Sequence, residues 1–172
     1  MDLLSPQRLY SREEVLARPS PVPQAPGVYA WYFRNIPSFV PLDGCVQCGD
    51  LTLLYVGIAP RAAPKNGKPP SSQRLRHRVR YHFCGNGTRL TFAEGEAALS
   101  HWMLQNAFVV WQVTEEPWNL EREIIGKTAL PLNLDMNRGH AFHSSLSTKR
   151  RLAKQAAREG AIWRPKEAIA LT

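Results

Sequence analysis

Fourteen prolines partition this chain, and their clustering confines it to short regular elements. Pro19, Pro21, Pro23 and Pro26 form an extended connector, while Pro60, Pro64, Pro69 and Pro70, with Gly67, form a long basic loop. Only three segments then carry the β-branched and aromatic residues of strands: Gly27–Phe33, Thr52–Ala59 and Ala107–Val113. Asn35 to Asp50, with Pro37, Pro41, Gly44 and Gly49, reads as a loop. Ser11-Arg12-Glu13-Glu14 has the form of a capping box and opens a short helix that ends by Arg18. Leu75, Val79 and Phe83, spaced by four, predict a helix over Ser72–Phe83. Further helices are expected over Glu94–Gln105, from Pro117 to about Lys127, and from about Ser145 to Glu159. Three strands interleaved with helices give a small α+β sheet and are too few for a doubly wound fold.

A chain of 172 residues with 44% apolar side chains suits one globular domain with a real core. No apolar stretch approaches the ~20 residues of a bilayer crossing, and Met1-Asp2-Leu3-Leu4-Ser5-Pro6 lacks the pattern of a secretory signal. The expectation is a cytoplasmic protein without membrane association. Three cysteines, an odd number, fit reduced thiols better than a disulfide framework.

The net charge of +8 is unevenly distributed. No acidic residue falls between Leu51 and Ala93, where Arg61, Lys65, Lys68, Arg74, Arg76, Arg78, Arg80 and Arg89 lie. A second basic block holds Lys149, Arg150, Arg151, Lys154, Arg158, Arg164 and Lys166 against a single Glu159. A solvated surface that only aids solubility would explain the pI, but two segregated blocks point to a polyanion such as nucleic acid.

Within this frame a few residues stand out. Tyr29 and Tyr55 occupy similar positions on two strands and, if those strands pair antiparallel, can face each other across the ladder. Strand tyrosines alone are commonly core residues. Arg74, Arg78 and His82 form an i, i+4 row beside the apolar row Leu75–Val79–Phe83, at the margin of the buried face. A solvated arginine and a packed histidine are the plain alternatives. Glu121 points between Ile124 and Ile125, toward the apolar side of its helix, whereas Arg122 and Glu123 point away. An inward carboxylate must be paired with a cation, hydrogen-bonded or metal-bound.

In chain order these residues stand in Pro26-Gly27-Val28-Tyr29, Leu54-Tyr55-Val56-Gly57, Leu75-Arg76-His77-Arg78-Val79-Arg80-Tyr81-His82-Phe83, Leu120-Glu121 and Pro131-Leu132-Asn133. The series resembles the GIY-YIG nucleases, a superfamily that includes UvrC-type repair incision domains, homing endonucleases and some restriction enzymes. The order of the motifs, the four-residue step from Arg78 to His82 and the twelve-residue step from Glu121 to Asn133 carry the resemblance. It spans roughly Ala25 to Arg138. It implies a three-stranded antiparallel sheet flanked by helices (25–138), with an N-terminal arm (1–24), inserted loops (35–50 and 60–72) and a basic helical C-terminal extension (139–172).

The resemblance also implies roles. Tyr55 would be the general base or proton relay at the attacking water, with Tyr29 orienting it. Arg78 would hold the scissile phosphate, His82 would stand near the nucleophile, Glu121 would bind one divalent metal, Mg²⁺ or Mn²⁺, and Asn133 would support the wall of the site. The chain departs from the family in its long interval between the tyrosines, its proline-rich basic loop, and Ile58 where many repair members carry a lysine.

Arg61, Lys65, Lys68, Arg74, Arg76 and Arg80 are expected to follow the DNA backbone, joined by a C-terminal ridge of Arg150, Lys154 and Arg158. Leu146 and Leu152 are expected to dock that helix. Cys45-Val46-Gln47-Cys48 is half a zinc site at best and reads as loop thiols, since Cys84, His101, His140 and His143 form no second pair. Trp102, Trp111, Trp118 and Trp163 read as core residues. The leading expectation is therefore a metal-dependent DNA endonuclease, monomeric or homodimeric. The alternatives are an inert nucleic-acid-binding module on the same fold and a compact dimeric restriction enzyme.

Overall fold

The computed structural model describes residues 2–61, 63–64, 66–67, 69–83 and 99–158, except the side chains of 99–101, 153–154 and 156–158. Its elements run α1 (Arg12–Leu16), β1 (Gly27–Phe33), β2 (Gln47–Cys48), β3 (Leu51–Ala59), α2 (Leu75–Phe83), α3 (Leu99–Asn106), β4 (Ala107–Val113), α4 (Pro117–Lys127) and α5 (His143–Arg158). The expected β1, β4 and α4 occur with the boundaries read from the sequence. The sheet has four strands rather than three, in the order β2-β3-β1-β4, all antiparallel. The extra strand is two residues inside the loop at 35–50, too short to show a period-2 pattern. It forms because the chain turns at Gly49, where φ is +62°, and pairs back on Leu51 and Thr52.

β1 is central and buried along its whole length, so it reads as continuously apolar rather than alternating. Tyr29, Trp31 and Phe33 enter one core with Val15, Leu75, Val79, Phe83, Trp102 and Leu146. Val28, Ala30 and Tyr32 enter the other with Val56, Ile58, Ile124 and Leu130. Helices α1, α2, α3 and α5 thus supply residues to the first core, and α4 to the second. The N-terminal arm belongs to both, since Val15 and Val22 are fully buried in the first core and Leu3 in the second. Its Tyr10 also pairs with Val109 through two backbone hydrogen bonds of 2.9 Å, which covers the exposed edge of β4.

The connector after α1 fixes α2. Helix α2 begins at Leu75, three residues later than expected, where the first free amides find acceptors outside the helix: Leu75 N donates to Ala25 O and Arg76 N to Pro23 O. The Arg76 and Arg80 side chains then reach back to the arm, Nε of Arg76 to Val22 O at 2.7 Å and Nη1 of Arg80 to Val15 O and Leu16 O. Arg12 answers from the arm to Phe83 O. A helix held at both ends in this way is a rigid mount for Arg78 and His82.

Candidate active site

Glycines at two strand positions allow the tyrosines to pack. Gly27 lies against the Gln112 carbonyl, where a Cβ would collide with that oxygen and lie 2.8 Å from Leu75 Cδ1. Gly57 is the cross-strand partner of Tyr29, and a Cβ there would fall 2.5 Å from the phenol oxygen. The Tyr29 ring therefore occupies the space that Gly57 leaves empty. Its hydroxyl is 3.1 Å from His82 Nε2, so α2 and β1 meet through this hydrogen bond.

Tyr55 pairs with Trp31 rather than Tyr29, so the two tyrosines are diagonal neighbours and not directly opposed as expected. Their ring centroids are 6.4 Å apart. A bulge makes this possible. Trp31 pairs with Tyr55 and Tyr32 with Leu53, leaving Leu54 as an extra residue on β3. Leu53 faces the second core, and strict alternation would send Tyr55 there as well. The inserted Leu54 shifts the phase by one, and Tyr55 packs on the same side as Tyr29.

Asn133 holds the other edge of this segment. Its side-chain oxygen accepts from Val56 N at 3.0 Å and its amide donates to Val56 O at 2.9 Å, while Leu132 N donates to Leu54 O. The amide acts as a one-residue strand partner between Tyr55 and Gly57, where β2 no longer reaches.

A cavity of about 700 Å³ opens beside this edge. Tyr55, Gly57 and Ile58 line it from β3, Arg78 and His82 from α2, Trp118 and Glu121 from α4, and Arg150 from α5. Arg61 lies at its rim and also borders an adjoining cleft with Gln73, His77, Arg78 and Tyr81. Tyr55, Arg78, His82 and Glu121 thus share one space. Tyr29 stands behind Tyr55 and His82, fully buried, and Asn133 acts on the backbone rather than in the cavity.

The cavity holds charged groups of both signs that form no ion pair among the described residues. Burial, with Asp135 nearby, pushes the Glu121 carboxyl up to about 7 despite the opposing pull of Arg78. The ion pairs among the described residues, Arg8–Glu14 and Lys127–Glu123, both lie on the exposed surface, so Glu121 is not the partner of a buried salt bridge. Burial works against the Arg78 charge, but the Tyr29 and Tyr55 hydroxyls outweigh it and raise its pKa. The Arg78 Nε is buried with no hydrogen-bond partner among the described residues. Burial raises Tyr29 and Tyr55 above the ordinary phenol range, although Arg150 and Arg78 favour the Tyr55 phenolate.

Arg74 bonds to the Gln73 carbonyl, and Arg76 and Arg80 are tethered to the arm. Lys65 and Lys68 lie outside the described residues, as do the side chains of Lys154 and Arg158. Arg150 does not stand on an outward ridge; it turns into the cavity, and Leu152, expected to dock α5, is exposed. The buried Leu146, one turn earlier on α5, sets the phase that carries Arg150 inward. Of the tryptophans, Trp102 and Trp111 are buried and Trp118 lines the cavity, while Trp163 falls outside the described residues. Cys45 and Cys48 are half-buried free thiols, Cys45 being raised to about 11 by burial and by Asp43. Among the described residues no three His, Cys, Asp or Glu cluster to hold a metal, and no helix is long and apolar enough to cross a membrane.

No curated protein and no solved structure matches the chain. One family model does, that of the GIY-YIG catalytic domain, over residues 85–153. The matched stretch holds Glu121, Asn133 and Arg150, whereas the two tyrosine strands and α2 precede it. The preceding elements place Tyr55, Arg78 and His82 around the same cavity that Glu121 and Arg150 of the matched stretch line, and over residues 85–153 the chain is similar to the GIY-YIG catalytic domain.

Proposed function

We propose that the protein is a metal-dependent DNA endonuclease that hydrolyses phosphodiester bonds in this cavity. The convergence of Tyr55, Arg78, His82 and Glu121 on one space, from β3, α2 and α4, carries the reading. Hydrolysis needs a positioned water, compensation of charge on the phosphorane and a leaving oxygen that can depart. Arg78 offers a rigid planar cation for the non-bridging oxygens. Water oxygen bonds to phosphorus while the bridging P–O bond breaks, and the proton lost by water is matched by one gained by the leaving oxygen. With both tyrosines raised by burial, Tyr55 is better suited to relay that proton than to stand as a phenolate. Tyr29, bonded to His82, holds that side of the site in register.

Glu121 is the residue for the metal. A half-buried carboxyl held near neutrality, with Asp135 beside it, is a place where a hard cation would be favoured. Mg²⁺ or Mn²⁺ bound there would supply Lewis acidity toward the phosphate. The proposed catalytic unit runs past Arg138 through α5, because α5 closes the cavity. Arg61 at the rim, with the basic loop and the end of α5, is the proposed track for the DNA backbone.

Supercoiled plasmid incubated with the protein and Mg²⁺ or Mn²⁺ should be converted to nicked or linear product, and EDTA should stop it. Arg78→Ala and Tyr55→Phe should each lower the single-turnover rate by at least ~10². A folded protein that leaves plasmid and branched duplex intact with both metals would refute the assignment and favour an inert binding module.

A further inference from the structure

We propose that Arg150 is a second phosphate-holding guanidinium of the active site, facing the reacting phosphate together with Arg78. The inference rests on the nuclease reading of the cavity but concerns a residue outside the motifs that suggested it. Helix α5 is phased by Leu146, which is fully buried. At about 100° per residue Arg150 lies only about 40° from Leu146, so the same face that docks the helix carries the guanidinium inward. There it lines the cavity with Tyr55, Arg78 and Glu121.

Its anchorage is specific. Nη2 donates to the carbonyl of Leu132, the residue before Asn133, so Arg150 and the amide that pins Val56 hang from the same short segment. The Nε is buried and has no hydrogen-bond partner among the described residues, as is also true of Arg78. Neither arginine is within ion-pair distance of a carboxylate among the described residues. One carbonyl does not satisfy a guanidinium with five donors, and removing such a cation from water without an anion is costly. Two of them around one cavity form a receptor for a bound anion, and the planar forks of arginine match phosphate oxygens. Supporting this placement, Arg150 is the strongest of the neighbours that favour the Tyr55 phenolate, ahead of Arg78.

The test has an anion arm and a cleavage arm. In metal-free buffer, inorganic phosphate should raise the melting temperature of the parent protein. Arg150→Gln and Arg78→Gln should each lose most of that rise, while the exposed Arg138→Gln should keep it. In the cleavage arm, with Mn²⁺ and plasmid under single-turnover conditions at saturating protein, Arg150→Gln should cut at least ~10²-fold more slowly. Its affinity for the same DNA in EDTA should fall less than about threefold, a difference that a simple backbone contact would not produce. Arg150→Lys retains a donor for Leu132 O and should fold like the parent, yet recover only part of the rate because it lacks the fork. A full phosphate response in Arg150→Gln, or a parental cleavage rate in a folded Arg150→Lys and Arg150→Gln pair, would overturn the proposal. An Arg150-dependent phosphate response in a parent that cuts no DNA would uphold the anion site and refute the nuclease reading.

Discussion

Replacing Glu121 with Gln should stabilise the metal-free protein while abolishing cleavage. The carboxyl is displaced from 4.5 to about 7 by burial and by Asp135, so ionising it in the folded chain at pH 8 costs up to about 3 kcal/mol. Water at the cavity mouth relaxes part of that field, which leaves a usable difference of about 1–2 kcal/mol. Glutamine has the same shape and no charge to desolvate. In EDTA at pH 8 the variant should therefore melt roughly 2–8 °C above the parent. The sign follows from linkage. A pKa raised by folding means the folded state holds its proton longer, so the carboxyl stabilises fully below about pH 4.5 and loses that contribution as pH rises through about 7. The gain from Gln should vanish near pH 4.5, grow between there and about pH 7, and level off above. Thermal unfolding at pH 5 and pH 8, beside plasmid nicking with Mg²⁺, measures both halves. Had Glu121 been one partner of a buried ion pair, its removal would cost about 3–5 kcal/mol. A melting temperature at pH 8 below that of the parent would refute the reasoning, and normal Mg²⁺-dependent nicking would refute the metal role.

Gly57→Ala places a methyl 2.5 Å from the Tyr29 oxygen and should cost about 1–3 kcal/mol in urea unfolding. The displaced Tyr29 should also slow cleavage in step with its separation from His82. Asn133→Ala leaves the Val56 amide and carbonyl without their partner and should cost roughly 2–4 kcal/mol, with cleavage falling even at temperatures where the chain stays folded. Arg76→Gln should lower stability by about 1–3 kcal/mol through the lost tether to Val22 O while leaving the salt dependence of DNA binding unchanged. Arg61→Gln, at the cavity rim, should instead flatten that dependence by about one phosphate-equivalent. Equal salt slopes for these two variants would place the DNA elsewhere.

Most of the framework was legible because local signals agreed with tertiary demands. Gly27–Phe33 is aromatic and β-branched and sits in the middle of the sheet, so propensity and burial coincide. Pro117 opens α4 where its missing amide is of no consequence, and Ser11 with Glu14 closes the capping box on α1. The inward direction of Glu121 was likewise a matter of helical phase, fixed by Ile124. What escaped depends on partners distant in sequence. Strand β2 exists only because β3 offers an edge to two residues. Arg76 and Arg80 read as cations, but Nε of the one and Nη1 of the other also tether α2 to carbonyls of an arm some sixty residues earlier, a pairing that no periodicity encodes. Arg150 was hidden by taking Leu146 and Leu152 as one docking face, although six residues separate them and turn the helix by about 240°.

The bulge at Leu54 shows why the tyrosine motifs alone underdetermine the site. Read with a strict period of two, Leu53 and Tyr55 belong to one face, and the second tyrosine would be buried against α4. The bulge moves Tyr55 to the other face and leaves Val56 to resume contact with the second core. β2 pairs only with Leu51 and Thr52, so beyond it the edge of β3 must be completed by something other than a strand. Asn133 does this with two side-chain hydrogen bonds, and the chain around it brings Leu132 O to Arg150. Tyr55, Asn133 and Arg150 are thus linked through one irregular stretch of backbone rather than through sequence proximity. The cavity opens at the edge of β3 beyond the end of β2, where α2 from one face and α4 from the other present Arg78 and Glu121 to the same space. An uninterrupted β3, extended by a longer β2, would bury the edge and keep those two residues on opposite sides of the sheet.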